Sequence, residues 1–236
     1  TSRLRPNESK VYRRKSAVVG APRFDNSINL TLVTNSGILM QVGSEQQLQW
    51  ANAEFRFHHT FNFTDDNKDI WAIGSDINEM LTLPPVYSNK NFINDAIIKI
   101  DSKTGELKDY FNITEAMIEA KLDNHLFIGR FDRFAADPLH INDVQPVSVD
   151  GKYFSKSDIF ISLGHANMVV LYDTLERKIK WHSTRGLYHQ HDVDILDDTT
   201  IAIFNINRVY TDVDKTFKHN QIVSYDFSSN KNNYLH

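Results

Sequence analysis

Histidine is the residue with the most chemistry to offer in this chain. Of the ten histidines in 236 residues, six fall in four short stretches: His58 and His59 in "FRFHHTF", His140 in "DPLHIND", His165 in "SLGHAN", and His189 and His191 in "GLYHQHDVDIL". Imidazoles brought together can do two things. Neutral rings can hold an ion such as zinc if carboxylates or further histidines complete the shell. Alternatively, one ring attacks a sulfuryl or phosphoryl group while its neighbours donate hydrogen bonds to the oxygens. The sequence contains no H-E-x-x-H and no compact ligand spacing, so no metal or other cofactor is expected. Asp192 follows His191 directly; in a regular strand adjacent side chains face opposite sides, so Asp192 is not expected to orient that ring.

Composition narrows the field further. There is no cysteine, which excludes disulfides, thiolate metal sites and a cysteine nucleophile. The net charge of −4, with no lysine or arginine cluster interleaved with aromatics, gives no field for a nucleic acid, which is not an expected partner. No apolar run approaches the roughly 18–20 residues of a membrane span. Residues 1–15 are basic and lack the apolar core of a signal peptide, so they read as a linker ahead of one domain over 16–236.

Short runs rich in Val, Ile, Phe and Tyr, closed by Gly, Asn or Asp turns, must position the histidines, and they define an all-β protein. The exception is Ile113–Leu122, where Thr114 is expected to cap a short helix. Aligned beneath one another, "HHTFNFTDDNKDIWAIGSDI" with "DAIIKIDSKTGELKDYF", then "LHINDVQPV" with "DIFISLG" and "MVVLYDTLERKIKWHS", then "QHDVDILDDTTIAIFNI" with "QIVSYDF" show a repeat. Each group opens on a histidine-bearing strand, and its third strand ends near an aspartate. This is the pattern of a four-stranded blade, hence of a β-propeller. "INLTLVTNSGILMQVGSEQQLQWANA" adds three strands and "NNYLH" begins a last strand, giving about four blades at roughly 40–50 residues each. A β-sandwich is the rival architecture. First strands line a propeller's central channel, so the repeat predicts that His59, His140 and His191 meet there as an equivalent set. Tyr188, in the loop entering the His191 strand, is an acceptor-site candidate, and Trp71 and Trp181 are expected to pack between blades.

The segment from Asp137 to Asn207 resembles the arylsulfotransferase family. Its members show H-x-N, a strand of the form (L/I)-S-x-R, V-x-W, Q-H-D or Q-H-T, and a strand ending in F-D-N. Here these correspond to His140–Asn142, Ile161–Gly164, Ile179–Trp181, Gln190–Asp192 and Phe204–Ile206. The resemblance implies a six-bladed propeller, so that the chain is expected to be a fragment or its ring to be completed elsewhere. It implies transfer of a sulfuryl group from an aryl sulfate to a phenol, without a nucleotide donor, in a bacterial, periplasmic or otherwise extracytoplasmic protein. It leaves room for a membrane anchor outside this chain and for an oligomer. By the same resemblance His191 carries the sulfuryl group, His59 and His140 stabilise its oxygens, and Asn142 binds substrate.

Two places depart from the family. The F-D-N ending reads Phe204-Asn205-Ile206, and the other departure lies in the family's (L/I)-S-x-R strand. Its arginine, a fork of donors suited to a tetrahedral oxyanion, falls at Gly164. His165 replaces it only if a bulge re-aims the strand; Arg208 and Arg185 are other substitutes, and Gly164→Arg would then be expected to raise activity. The alternative to an enzyme is a catalytically inactive propeller that binds a ligand or a protein partner, since fold alone does not fix function.

Overall fold

The computed structural model describes residues 22–76, 93–127, 137–207, 209–210, 216–217 and 220–235. Sixteen strands form four antiparallel four-stranded sheets. The first contains β1 (Arg23–Phe24), β2 (Leu30–Val33), β3 (Leu39–Val42) and β4 (Leu48–Asn52), and the second β5 (Phe55–Phe63), β6 (Asp69–Asp76), β7 (Asp95–Asp101) and β8 (Leu107–Asn112). The third contains β9 (Ile141–Pro146), β10 (Asp158–Leu163), β11 (Met168–Asp173) and β12 (Lys178–Ser183). The fourth contains β13 (Gln190–Ile195), β14 (Thr200–Asn205), β17 (Gln221–Asp226) and β18 (Lys231–Leu235), with a hairpin of β15 (Val209–Tyr210) and β16 (Thr216–Phe217) inserted after β14.

The strand types follow from what covers them. β10 and β11 carry continuous apolar runs and every residue of both is buried, as expected of strands covered on both faces. β12, "KIKWHS", alternates exposed and half-buried residues, the period of a strand with one wet face. In the second, third and fourth sheets the aspartate that ends the third strand closes a turn. Asp101 Oδ1 accepts from the Lys103 and Thr104 amides, Asp173 Oδ1 from those of Leu175 and Glu176, and Asp226 Oδ1 from those of Ser228 and Ser229. An Asx turn of this kind replaces the backbone partner that the reversing chain lacks.

Apolar side chains collect between consecutive sheets, in three separate cores. Val33, Trp50, Phe55 and Ile98 join the first sheet to the second. Trp71, Ile97, Phe111, Ile161 and Tyr172 join the second to the third, and Phe160, Leu171, Ile203 and Tyr225 the third to the fourth, with Trp181 packed against them. Sheets stacked in series in this way are blades, not the two leaves of a sandwich. Trp71 and Trp181 thus both lie in inter-blade packing.

One local reading is corrected. The helix, α1 (Ile113–Glu119), is capped by Asn112, whose side chain accepts from the Thr114 amide at 2.8 Å; Thr114 lies inside the helix. The last strand expected at "NNYLH" is present: Asn232–Leu235 pair with Ile222–Tyr225 as part of β18, completing the fourth sheet.

Candidate functional site

β5, β9 and β13, the first strands of three blades, lie side by side and are tied by buried amides and carboxylates. Asn62 Nδ2 donates to the Val144 carbonyl at 2.8 Å, Asn142 Nδ2 to the Gln190 carbonyl at 2.9 Å, and the Val193 amide to Asp143 Oδ2 at 3.1 Å. Each strand breaks register at its histidines. Three residues, His58, His59 and Thr60, stand between the β5 residues that pair with Gly74 and Ala72, where one residue, Ile73, stands on β6. Asn142 is extra on β9, opposite the step from Ser162 to Leu163. On β13, His191 and Asp192 together face Phe204 alone. Bulges of this kind re-aim side chains.

The backbone marks the same place three times. His59, His140 and His189 have φ of +55°, +48° and +54°, a left-handed conformation uncommon outside glycine and strained enough to draw attention to function. The repeat-equivalent set is therefore His59, His140 and His189. His191 lies two residues further on, in register with Asn142 and Phe61. The β13 bulge bears on Asp192 as well. Gln190 and Val193 are both buried while His191 and Asp192 are not, so the two turn out of the core together, and the Asp192 charge favours protonation of the His191 ring.

Six imidazoles converge in a continuous row. Ring centroids lie 4.9 Å apart for His58 and His59, 4.7 Å for His59 and His140, 4.2 Å for His140 and His165, 5.4 Å for His165 and His189, and 5.8 Å for His189 and His191. His165 reaches the row because β10 ends at Leu163. Residues 164–167 form the turn into β11, and the Gly164 and His165 amides donate to the carbonyls of His140 and Leu139. Strand alternation, which would have turned His165 away, no longer applies there.

The rings differ in charge. A side-chain hydrogen bond to Asp137 raises the pKa of His140 against the cost of its burial, and the charges of Asp137 and Asp95 add to the effect. Burial opposes ionisation of Asp137, but its bonds and charge interactions with His140 and the charge of His165 outweigh that and hold it below the usual carboxylate range. His59 is pushed the other way, to about 4, first by burial and then by the His58 and His140 charges. His191 is lowered by burial and by His140, against Asp192. The site therefore sets a ring whose charged form is favoured beside rings whose neutral, lone-pair-bearing form is favoured, the combination suited to nucleophilic attack on an anion.

Among the described residues, Asp137, His140 and His165 could converge on a metal ion. Their present arrangement does not direct them at one. The His140 and His165 rings are stacked 19° from parallel, so no ion lies in both ring planes unless one ring turns. His165 Nδ1 is also engaged by the Asp137 carbonyl at 2.6 Å.

The other predicted residues are placed as follows. Asn142 is buried, its amide spent on the strand beside His191. Tyr188 is exposed next to His189, with its backbone fixed by Asn205 Oδ1, and Asn205 Nδ2 also holds the Gly186 carbonyl. Arg185 is engaged with the Asn230 carbonyl at 3.4 Å, and Arg208 lies outside the described residues. Gly164 has no room for a side chain: a Cβ there would stand 2.3 Å from Asn142 Nδ2. The expectation that Gly164→Arg restores a missing donor is therefore reversed, since the Asn142 amide occupies the space. Sequence reasoning missed Asp137 and Asp95, which lie outside the motifs; the "D-P-L-H" spacing was the available signal for the first.

Blades in series with their first strands meeting at a histidine-lined centre define a β-propeller. A family model described as arylsulfotransferase (ASST) matches residues 34–236, and the chain belongs to that family. No curated protein matches it. Among solved structures it is similar to the β-propeller domain of Myceliophteria thermophila Cps50 (Swd1), at 10% identity and a TM-score of 0.53, covering 87% of this chain and 54% of that one. It is also similar to BamB from Moraxella catarrhalis, at 9% identity and a TM-score of 0.44, covering 92% and 52%. The chain thus spans about half the length of the solved propellers it matches.

Proposed function

We propose that this propeller transfers a sulfuryl group from an aryl sulfate to a phenol through a covalent histidine adduct. The carrying observation is the row of six imidazoles, in which contact with Asp137 raises the pKa of His140 while burial lowers those of His59 and His191. The neutral His191 attacks sulfur, the aryl oxygen leaves with the bond pair, and His140 meets the charge on the sulfuryl oxygens. A phenol then takes the group from His191, with Tyr188 at the mouth beside the incoming ring and His165 next to His140. Family membership supports these substrates and an extracytoplasmic location; no helix among the described residues is long and apolar enough to cross a membrane.

The test is incubation with para-nitrophenyl sulfate and a phenol. Nitrophenolate release that depends on the phenol, abolished by His191→Ala and accompanied by a mass gain of one SO₃ on the peptide containing His191, is the expected result. Equal turnover by wild type and His191→Ala removes His191 from the mechanism. The Gly164 position favours a second reading, in which the site binds aryl sulfates without transferring the group. Saturable binding with no release of nitrophenolate would establish it.

A further inference from the structure

Behind His59 lies a pair that the reaction above does not use. His58 Nδ1 is 2.7 Å from His59 Nδ1, and His58 Nε2 is 3.0 Å from Asp95 Oδ1. Asp95 is almost wholly buried and is committed on all sides. Its Oδ1 also accepts from Ser75 Oγ at 3.0 Å, and its Oδ2 accepts from the Ile141 amide at 3.3 Å. A carboxylate only accepts, so the nitrogen of His58 that faces it carries a proton. A neutral His58 then presents a lone pair at Nδ1, which fixes the proton of His59 on Nδ1. The Nε2 of His59 is left bare.

We infer that Asp95 and His58 are positioning residues that fix the His59 tautomer, making His59 the base that takes the proton of the incoming acceptor. This deepens the sulfuryl-transfer reading and rests on it for the identity of the acceptor. In the second half-reaction the phenol oxygen forms its bond to sulfur and the S–N bond to His191 breaks, its electron pair returning to the ring. The phenol proton passes to His59 Nε2. The resulting imidazolium donates through Nδ1 to His58, whose other nitrogen faces the Asp95 charge. His59 thus acts as an acceptor of protons, and the role of donor to the sulfuryl oxygens falls to His140. The groups that bear on His59 are His58, Asp95, His140 and His191, and of these only Asp95 stabilises its charged form.

Asp95→Asn reverses the chain of hydrogen bonds with almost no change in shape. The amide oxygen must take the Oδ2 position, because an NH₂ there would face the Ile141 N–H. The NH₂ then points at His58 and at Ser75, whose hydroxyl can turn to accept. His58 must accept at Nε2 and donate at Nδ1, and His59 is driven to carry its proton on Nε2, the wrong tautomer for a base.

Long-range ¹H–¹⁵N correlation spectra of the whole chain, labelled in histidine and recorded at about pH 8, above the ordinary histidine range near 6.5, read the tautomer directly. Wild type should show His59 with a bare Nε2, and Asp95→Asn should show a protonated Nε2. Should Asp95→Asn fail to fold, His58→Phe keeps a ring and removes the acceptor, and should likewise release the proton to Nε2. A protonated His59 Nε2 in wild type, or an unchanged tautomer in the variants, overturns the inference. In turnover with para-nitrophenyl sulfate, whose leaving group needs no proton, Asp95→Asn should slow the phenol-dependent step about 100-fold or more and nitrophenolate release far less. Equal slowing of both steps, or of neither, rejects the base role. If wild type transfers nothing, the reaction assigned above fails while the spectra still decide the tautomer.

Discussion

Replacing Gly164 tests how the site is packed. A Cβ at this position would lie 2.3 Å from Asn142 Nδ2, 3.1 Å from the His140 carbonyl and 3.2 Å from Asn142 Cγ. Two of these are buried and one is backbone, so Asn142 must move and lose its 2.9 Å bond to the Gln190 carbonyl. Overpacking a tight core costs about 1–3 kcal/mol and a lost hydrogen bond about 0.5–1.5 kcal/mol, so Gly164→Ala should lose roughly 2–4 kcal/mol. With m about 1–3 kcal/mol/M, the urea midpoint should fall by about 1 M or more. Gly43→Ala is the control. Its Cβ would stand 2.4 Å from Gln47 Nε2 and 2.5 Å from Gln49 Nε2, the free ends of exposed side chains that can swing away, and it should change stability by less than about 0.5 kcal/mol. Gly164→Arg should be no more active than wild type, because Gln190, which stands between His189 and His191, loses the Asn142 bond to its carbonyl. A Gly164→Ala midpoint equal to wild type, or a Gly164→Arg enzyme faster than wild type, refutes this account.

Two further outcomes concern buried carboxylates. The pKa of Asp143 is pushed up to about 7 by burial and by the Asp192 charge. A carboxyl raised in the folded state stabilises most below its unfolded pKa, and that stability is lost as pH rises through the folded value. Wild type should therefore lose stability between about pH 4 and 7, and Asp143→Asn, followed by denaturation at each pH, should flatten that slope; an unchanged slope removes Asp143 as its source. Asp158 is fully buried and held by Lys180 Nζ at 2.8 and 3.0 Å. Lys180→Met should cost about 3 kcal/mol, the low end for breaking a buried pair, because Lys180 itself is 31% exposed; a change below about 0.5 kcal/mol in a thermal melt would show the pair contributes nothing.

Much of the fold was legible because it rests on local chemistry that repeats. The Asx turns at Asp101, Asp173 and Asp226 recur at fixed places, and the apolar runs of β10 and β11 can only belong to covered strands. The site was legible as far as its histidines. The alignment of His191 with His59 and His140 failed because period-two alternation counts residues, whereas the bulges insert them. A bulge leaves no sign in residue type. Asn112 took the cap from Thr114 because both residue types serve equally well and the end of β8 decides between them. The Asp95 contact spans 37 residues to His58, and only the register of β5, β6 and β7 brings them together.

The three left-handed histidines explain why a repeated blade can build an asymmetric site. A left-handed residue within or just ahead of a bulge gives each inner strand a means of turning an imidazole toward the centre, so blade repetition supplies the rings. What the blades do not repeat is the group behind each ring. Blade two sets Asp95 behind His58, blade three lets Asp137 hold His140 directly, and blade four follows its left-handed histidine with His191 and Asp192 on one bulge. The Asp137 carboxylate in contact raises the pKa of His140, whereas burial first and the neighbouring imidazoles second lower those of His59 and His191. The proposed donor, base and nucleophile thus differ in burial and in how each ring stands to a carboxylate. Changes at Asp95 and Asp137 should therefore exchange chemical roles among rings that stay in place, whereas changes at Asn142 or Gln190 should move the rings themselves.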